Sequence, residues 1–202
     1  MLRAKQSPNG EMTCRRKDAM KNVIVVDTTY RAGGNCAILA DKLAAEIPNA
    51  RVEVFRLKEH TVNPCVGCCG CKGQPVVACV QKDDMSALIR RLDECDALVL
   101  LAPIYYGGIA GQAKIFVDRL YAFSGNEAAR KQCKKAAVIC TCAGGPADLY
   151  TRHAEFLANA FSMLGVEDSR VYVCNEIYPA GAVREREDHL QAVSGIACWL
   201  GE

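Results

Sequence analysis

The sequence lacks the features that mark a membrane, secreted or nucleic-acid-binding protein. Its apolar runs are short, as in 97–102, whereas a membrane-spanning helix needs about 20 apolar residues. The formal net charge is only +2, so a nucleic-acid partner has no electrostatic support. Residues 1–19 are polar and contain no apolar segment of signal-peptide length. We therefore expect a cytoplasmic protein with no membrane and no nucleic-acid partner.

Aromatic residues are also scarce, at 6% of the 202 residues, so that any cluster of them carries information. Hydrophobic residues make up 50% and charged residues 24%, which is ordinary for a globular protein and excludes a disordered chain. The length suits one domain. We expect a loose N-terminal tail over 1–19 and a single domain over 20–202, with a cysteine-rich loop at 58–82.

Cysteine is the residue in excess, with 13 in the chain. The count is odd and no secretory signal precedes them, which argues against a disulfide scaffold and for metal or redox chemistry. Six of them lie within or beside predicted helices and strands and are interpreted mostly as small buried hydrophobic residues: Cys36, Cys95, Cys140, Cys142, Cys174 and Cys198. The three histidines, His60, His153 and His189, have no cysteine or carboxylate at suggestive spacing and are predicted to face solvent or cap helices.

Strand and helix signals alternate from residue 22 to the end. Continuous apolar, β-branched runs such as Val23–Val26 are typical of central strands buried on both faces. Alternation of this kind favours a three-layer, doubly wound α/β fold with a five-stranded parallel sheet. The predicted strands cover 23–26, 52–57, 96–102, 136–141 and 171–173.

The loop after the first strand, Thr28–Cys36, has the composition of a phosphate site. Glycines let the backbone curl around a ligand, hydroxyl and amide side chains can donate hydrogen bonds, and a helix N-terminus follows. Neither the dinucleotide pattern G-x-G-x-x-G nor the P-loop pattern is present, which argues against a nicotinamide-binding Rossmann domain and an ATPase. The alternative is a plain strand–helix turn with capping residues.

The loop after the third predicted strand, Pro103–Gly108, carries two adjacent tyrosines. Tyr105 and Tyr106 stand between proline and glycine at a strand's carboxyl end, which suits a flat aromatic wall against a planar ring better than a core position. In open α/β sheets ligands bind where the strand order reverses. The two loops follow the two strands that flank this position in the flavodoxin-like order.

These loops resemble those of the flavodoxin-like NADPH-dependent FMN reductase family, and more closely its iron–sulfur flavoprotein branch. The family's phosphate loop reads roughly Ser-Pro-Arg-x-x-Gly-Asn-Thr. Residues 29–36 keep that spacing, with Tyr30 in place of proline and Cys36 in place of threonine. The resemblance implies a sheet with strand order 2-1-3-4-5.

Further family motifs lie downstream. The flavin loop, Pro-x-Tyr-Phe/Tyr-Gly, followed by Gln-x-Lys and Asp-Arg, is matched at 103–107, 112–114 and 118–119. Residues 143–146 resemble the loop that approaches the isoalloxazine, and Asp83–Met85 matches a signature at a helix start, for which helix-capping acids are the simpler interpretation.

By resemblance the chain binds FMN, accepts electrons from NAD(P)H as co-substrate, passes them to a small-molecule or protein acceptor, and forms a homodimer or homotetramer. No residue is assigned to acid–base catalysis, because the flavin carries the chemistry. The cofactor-binding residues implied are Thr29, Arg31, Gly34, Asn35, Cys36, Pro103, Ile104, Tyr105, Tyr106, Gly107, Ala143, Gly144 and Gly145.

The cysteine-rich loop contains the compact series Cys65-x2-Cys68-x2-Cys71-x7-Cys79. Thiolates at such gaps can surround one small iron–sulfur cluster, and by resemblance these four would bind a 4Fe–4S cluster. Cys69 stays an alternative third ligand. Clusterless thiols are the main competing interpretation, and zinc is a weaker one because zinc ribbons more often pair two separated knuckles.

Two functions of different class follow from the resemblance. The first is an FMN-dependent NAD(P)H oxidoreductase. The second is an iron–sulfur flavoprotein that receives electrons from a ferredoxin-like donor, with little NAD(P)H turnover. A third reading, a zinc–thiol loop on a cofactor-free domain, predicts zinc and no flavin.

Overall fold

The molecule is built on a twisted sheet whose parallel strands are joined by helices. The computed structural model describes residues 20–126 and 134–202, and the predicted tail over 1–19 lies outside them. The strands within this part of the chain are β1 (Lys21–Asp27), β2 (Ala50–Arg56), β3 (Ala97–Tyr105), β4 (Gly108–Ile109), β5 (Lys134–Thr141) and β6 (Val166–Cys174). The α-helices are α1 (Asn35–Glu46), α2 (Asp84–Glu94), α3 (Gly111–Arg119), α4 (Asp148–Ala160) and α5 (Glu187–Gly201).

The sheet order is β2-β1-β3-β5-β6, with every neighbouring pair parallel. This confirms the flavodoxin-like order 2-1-3-4-5 for the five predicted strands. The additional strand, β4, has only two residues and pairs antiparallel with the end of β3, Ile104 opposite Ile109. A hairpin this short leaves no alternating pattern, which is why the sequence did not predict it.

Two strands extend well beyond their predicted bounds. The predicted fifth strand, 171–173, is β6 and already begins at Val166, and the end of β3 differs at the site itself. The strand was expected to end at Ala102, with Pro103 opening a loop, but it continues to Tyr105. Pro103 lies beside Thr141 of β5, and its carbonyl accepts a hydrogen bond from Ala110 at 2.9 Å. Proline removes only a backbone donor, and the hairpin with β4 supports the extra residues. The aromatic loop is therefore shorter than predicted.

Each central strand sends alternate side chains to opposite faces, and each face has its own core. In β1, Val23 and Val25 face one core, whereas Ile24 and Val26 face the other. Helices α1 and α5 cover the first face, and α2, α3 and α4 cover the second. This is the predicted three-layer arrangement. No helix in the described part of the chain is long and apolar enough to cross a membrane.

Lys134 is a charged residue inside the second core. Its side chain is buried, and its ammonium donates hydrogen bonds to the carbonyls of Leu92 and Asp93, at 2.7 and 2.6 Å. Both carbonyls lie in the last turn of α2, where such groups lack helical partners and where a cation also meets the negative end of the helix dipole. The start of β5 is thus attached to the end of α2.

We expect Lys134→Met to lower the free energy of unfolding by about 1–3 kcal/mol, because two buried carbonyls lose their charged donor. Urea denaturation measures the difference. Lys114→Met is the matched control, since Lys114 is half-exposed and pairs only with Asp118 one helical turn away. Equal effects of the two substitutions would contradict this role for Lys134.

Candidate functional site

Three loops meet at the carboxyl edge of the sheet, after the neighbouring strands β1, β3 and β5. Direct contacts connect the segment after β1 to the neighbouring strands. Thr28 donates to the carbonyl of Leu101 in β3 from both its backbone N–H and its hydroxyl, and Cys36 Sγ lies 3.1 Å from Thr141 Oγ1 in β5. The strand order reverses between β1 and β3, so the predicted loops do flank the position where such folds bind ligands.

The loop after β1 is a tight turn that ends at an uncapped helix. The backbone N–H of Arg31 donates to Thr29 Oγ1 at 3.3 Å, and that of Gly34 donates to the carbonyl of Arg31 at 3.1 Å. A Cβ added at Gly34 would stand 3.0 Å from that same carbonyl, so any larger residue needs a small shift of this turn. Helix α1 begins with no side-chain cap and no acid in its first turn. Its N-terminal N–H groups therefore suit an anion.

Asn35 has a role that the sequence did not indicate. Its side-chain amide donates to the carbonyls of Ile177 and Pro179 and accepts from the N–H of Val183. These contacts tie the segment that follows β6 to the start of α1. These contacts occupy the side chain of Asn35, so its backbone is the part left to face a phosphate. The predicted contact of Asn35 with a phosphate stays a prediction.

Cys36 is likewise directed inward. Its side chain is buried, and burial raises the pKa of this thiol, with the hydrogen bond to Thr141 opposing the effect and the neighbouring Asp27 adding to it. The thiol contacts Thr141 of β5 at 3.1 Å. The predicted contact of Cys36 with a ligand stays a prediction.

The two tyrosines form the exposed wall that their sequence position predicts. Tyr106 is fully exposed and has a left-handed backbone with φ of +51°, and Tyr105 is about half-exposed. The third loop, Ala143–Gly145, also lies at the surface. Asn175, which directly follows β6, stabilises this loop, because its Nδ2 donates to the carbonyl of Gly145 at 3.2 Å. Pro103 and Ile104, in contrast, are buried strand residues that support the wall from below.

The cysteine-rich loop places its thiols around one concavity. Cys65, Cys68 and Cys69 are exposed, Cys79 is partly buried and Cys71 is buried. All five line the concavity together with Arg119, Tyr121 and Ala122. In the described residues, no three His, Cys, Asp or Glu side chains converge closely enough to hold one metal ion. The arrangement is thus open, without the tetrahedral convergence of a structural zinc site.

A buried ion pair fixes this loop to the helices. The guanidinium of Arg119, at the end of α3, binds both oxygens of Asp83, and both side chains are almost fully buried. The same guanidinium donates to the carbonyl of Asn63 at 2.8 Å and to Cys79 Sγ at 3.3 Å. Asn63 precedes the cysteine series and Cys79 ends it. Both ends of the series are therefore attached to one charged group.

Asp83 also confirms the helix-capping interpretation, because its carboxylate accepts from the backbone N–H of Ser86 in the first turn of α2. Burial alone would raise the pKa of this carboxyl, but hydrogen bonds from Arg119 and from the backbone of Asn63 outweigh it and lower the pKa to about 2. The pairing with Arg119 was missed. Both residues lie in motifs that the family resemblance had identified, and this was the only indication in the sequence that they could be important.

A second thiol group lies under the site but is not reactive. Burial raises the pKa of Cys140 and of Cys174 to about 12, with neighbouring thiols contributing. Cys95 and Cys142 are also buried, as predicted, whereas Cys198 is exposed on α5. Thiols with such pKa values are protonated at neutral pH and are poor ligands and nucleophiles. Within the site, the exposed thiols of the loop are therefore the chemically available ones.

The histidine prediction is wrong for His189. This residue is buried, with Nδ1 2.8 Å from the hydroxyl of Tyr172 and Nε2 2.9 Å from the carbonyl of Asn175. The carbonyl can only accept, so Nε2 carries a proton. His189 thus contacts the backbone of Asn175, whose side-chain amide donates to Gly145 in the third loop. His60 is partly exposed and stacks on Phe55, and His153 is exposed.

A doubly wound sheet with three ligand-facing loops at its switch point defines the flavodoxin-like class of α/β proteins. Within that class, residues 21–175 match the family described as NADPH-dependent FMN reductase. The chain belongs to this family.

Relatives with assigned names agree with the branch inferred from the cysteines. An iron-sulfur flavoprotein of Archaeoglobus fulgidus is 31% identical over 123 residues, which are 59% of this chain and 54% of that protein. A second protein of the same name and organism is 27% identical over 154 residues, 74% of this chain and 75% of the other. The chain spans about half the length of the first of them.

Solved structures share the fold. The FMN-dependent NADH-azoreductase of Bacillus anthracis, determined with FMN, superposes with a TM-score of 0.62 at 14% identity, over 90% of this chain and all of the other. NAD(P)H:quinone oxidoreductase of Methanothermobacter marburgensis superposes with a TM-score of 0.63 at 16% identity, over 91% and 98% of the two chains. At these identities the likeness establishes the architecture.

Asp83→Asn removes one partner of a buried pair, which costs about 3–5 kcal/mol of unfolding free energy in such cases. Because the pKa of Asp83 is lowered by folding, its contribution is complete above about pH 4 and is lost as the pH falls through about 2. The stability difference between wild type and variant should shrink over that interval, as measured by urea denaturation at successive pH values.

Asp188→Asn is the matched control. Asp188 pairs with Arg186 at the surface, where 60% of its side chain is exposed and solvent screens the pair. We expect a much smaller loss of stability from this substitution. A loss equal to that of Asp83→Asn would show that the buried pair has no special role.

Proposed function

We propose that the chain is an FMN-binding oxidoreductase that transfers electrons from NAD(P)H through the flavin to an acceptor, and that its cysteine loop holds a 4Fe–4S cluster. The observation that carries the first part is the uncapped start of α1 behind the glycine turn, at the switch point of the sheet. Family membership supports the same cofactor.

The residues present fit FMN. The N-terminal N–H groups of α1, and Arg31 on the exposed turn, would receive the phosphate, whose charge suits a helix N-terminus. Tyr105 and Tyr106 would contact the ring, and the exposed backbone of Gly144 and Gly145 would lie along it. When bound, FMN supplies hydride acceptance and onward electron transfer. The protein contributes binding and orientation, with no acid–base residue required.

The residues also fit an iron–sulfur cluster better than a single ion. Each thiolate of such a cluster binds its own iron, so the sulfurs need not converge on one point. Cys65, Cys68, Cys71 and Cys79 surround one concavity without that convergence. Arg119, buried beside them, has a donor nitrogen, Nε, without a partner in the described residues, and a cluster sulfur could accept its hydrogen bond. The names of the Archaeoglobus fulgidus relatives support this part of the proposal.

A ferredoxin-linked electron carrier is the second candidate. The exposure of Cys65, Cys68 and Cys69 favours it, because a protein donor could approach the thiol loop directly from solvent. Rapid oxidation of NADPH or NADH by the purified protein supports the reductase. Reduction by reduced ferredoxin alone, with no nicotinamide turnover, supports the carrier. Self-association as a homodimer or homotetramer belongs to the same proposal, supported by the exposed Leu149 and Phe156 of α4.

Gly34→Ala tests the phosphate loop. The added Cβ forces the turn to shift, and we expect FMN to bind about ten-fold or more weakly, a loss of about 1.4 kcal/mol or more. Riboflavin, which lacks the phosphate, should bind equally to variant and wild type. Fluorescence titration of both ligands makes the comparison, with Gly195→Ala in the open space of α5 as control. Equal losses for both ligands would assign the loop a general structural role.

Iron and sulfide analysis of anaerobically purified protein tests the cluster. We expect about four irons per chain, in keeping with a cysteine-bound cubane. Cys68→Ser should lose most of the iron. Cys69→Ser is the matched control on the adjacent residue, and retention of iron there assigns Cys68 as the ligand. The reverse result would make Cys69 the ligand, and zinc in place of iron would overturn the cluster.

A further inference from the structure

Arg119 is a cation buried among thiols. Only 2% of the residue is exposed, and a buried arginine is stable only when its donors are paired. Its guanidinium nitrogens Nη1 and Nη2 donate to Asp83, Asn63 and Ser86. Nη2 also donates to Cys79 Sγ at 3.3 Å.

One of the N–H donors of Arg119 has no acceptor in the described residues. A guanidinium carries five N–H donors, and the Nε of Arg119 is buried with no acceptor in residues 20–126 and 134–202. A buried donor without a partner costs about 1–3 kcal/mol. Arg119 lines the concavity that the five loop cysteines surround. An acceptor held by those cysteines would remove this cost.

We propose that Arg119 positions the iron–sulfur cluster and sets its reduction potential, with Nη2 donating to the Cys79 sulfur and Nε donating to a second sulfur of the cluster. The inference rests on the proposed function, since it requires that the cysteine loop binds a cluster. Hydrogen bonds to cluster and cysteine sulfurs stabilise the more negative, reduced state and so raise the potential.

Because Arg119 is paired with Asp83, its effect on the reduction potential depends on the orientation of its N–H groups more than on its charge. Asp83 binds the guanidinium through both carboxylate oxygens, so the pair adds little net charge beside the cluster. The effect on the potential must then come from oriented N–H groups. Lysine keeps the charge but has neither the planar fork nor the Nε donor. Arg119→Lys is therefore expected to lower the potential rather than preserve it.

The competing explanation is that Arg119 only holds the loop to α2. In that case a substitution would lower thermal stability and iron retention, but the potential of the protein that does retain iron would not change. The reduction potential therefore separates a positioning role from a structural one.

The experiment is an anaerobic redox titration, followed by electron paramagnetic resonance, on iron- and sulfide-reconstituted protein. Wild type is compared with Arg119→Lys and with the double variant Asp83→Asn/Arg119→Gln, which removes both charges together so that neither is left buried alone. Arg91→Lys is the control, because Arg91 makes a similar two-oxygen contact with Glu53 away from the thiols. We expect a lower reduction potential in both Arg119 variants and an unchanged reduction potential in the control.

If the variants fail to fold, a measurement on the wild-type protein still tests the proposal. Protein grown with arginine labelled with ¹⁵N in the guanidinium should show ¹⁵N hyperfine coupling to the reduced cluster. Unchanged potentials, or no such coupling, in protein that binds FMN and iron would overturn the inference and leave the proposed function standing. Wild-type protein that binds FMN but no iron would overturn the cluster and the inference together.

Discussion

The cysteine loop depends on one buried contact, the ion pair between Asp83 and Arg119. Between β2 and α2 the chain forms no strand and no α-helix, so its shape cannot come from a regular hydrogen-bond ladder. The pair instead connects the start of α2, the end of α3 and both ends of the cysteine series, through Asn63 and Cys79. Lys72 adds a second attachment, donating to the carbonyls of Tyr121 and Ser124. The thiols are thus gathered by the protein itself.

Helix α3 relates this loop to the edge of the sheet. It begins just after the exposed tyrosines and ends at Arg119. Its nine residues extend about 13 Å at 1.5 Å per residue. One short, rigid element therefore separates the aromatic wall from the residue that holds the thiols.

The sequence predicted what depends on local pattern and missed what depends on distant partners. Continuous apolar runs and glycine turns were sufficient to place the central strands and the loops at their carboxyl ends, because a buried strand and a tight turn restrict composition locally. The strand order came from the family resemblance. Asn35 and Cys36 look like loop ligands in sequence. Their partners, Ile177 and Thr141, lie 142 and 105 residues away along the chain. Arg119 and Asp83 were both noticed, but only the folded chain shows that they pair.

The contacts of Asn35 join the two ends of the domain. The glycine turn after β1 belongs to the first quarter of the chain, whereas the carbonyls and N–H that hold Asn35 belong to residues 177–183. On the ribosome, the turn emerges long before its partners are synthesised. The finished shape of this turn must therefore be a late event, and a chain cut before residue 177 would keep every loop motif but lose the contacts that hold Asn35.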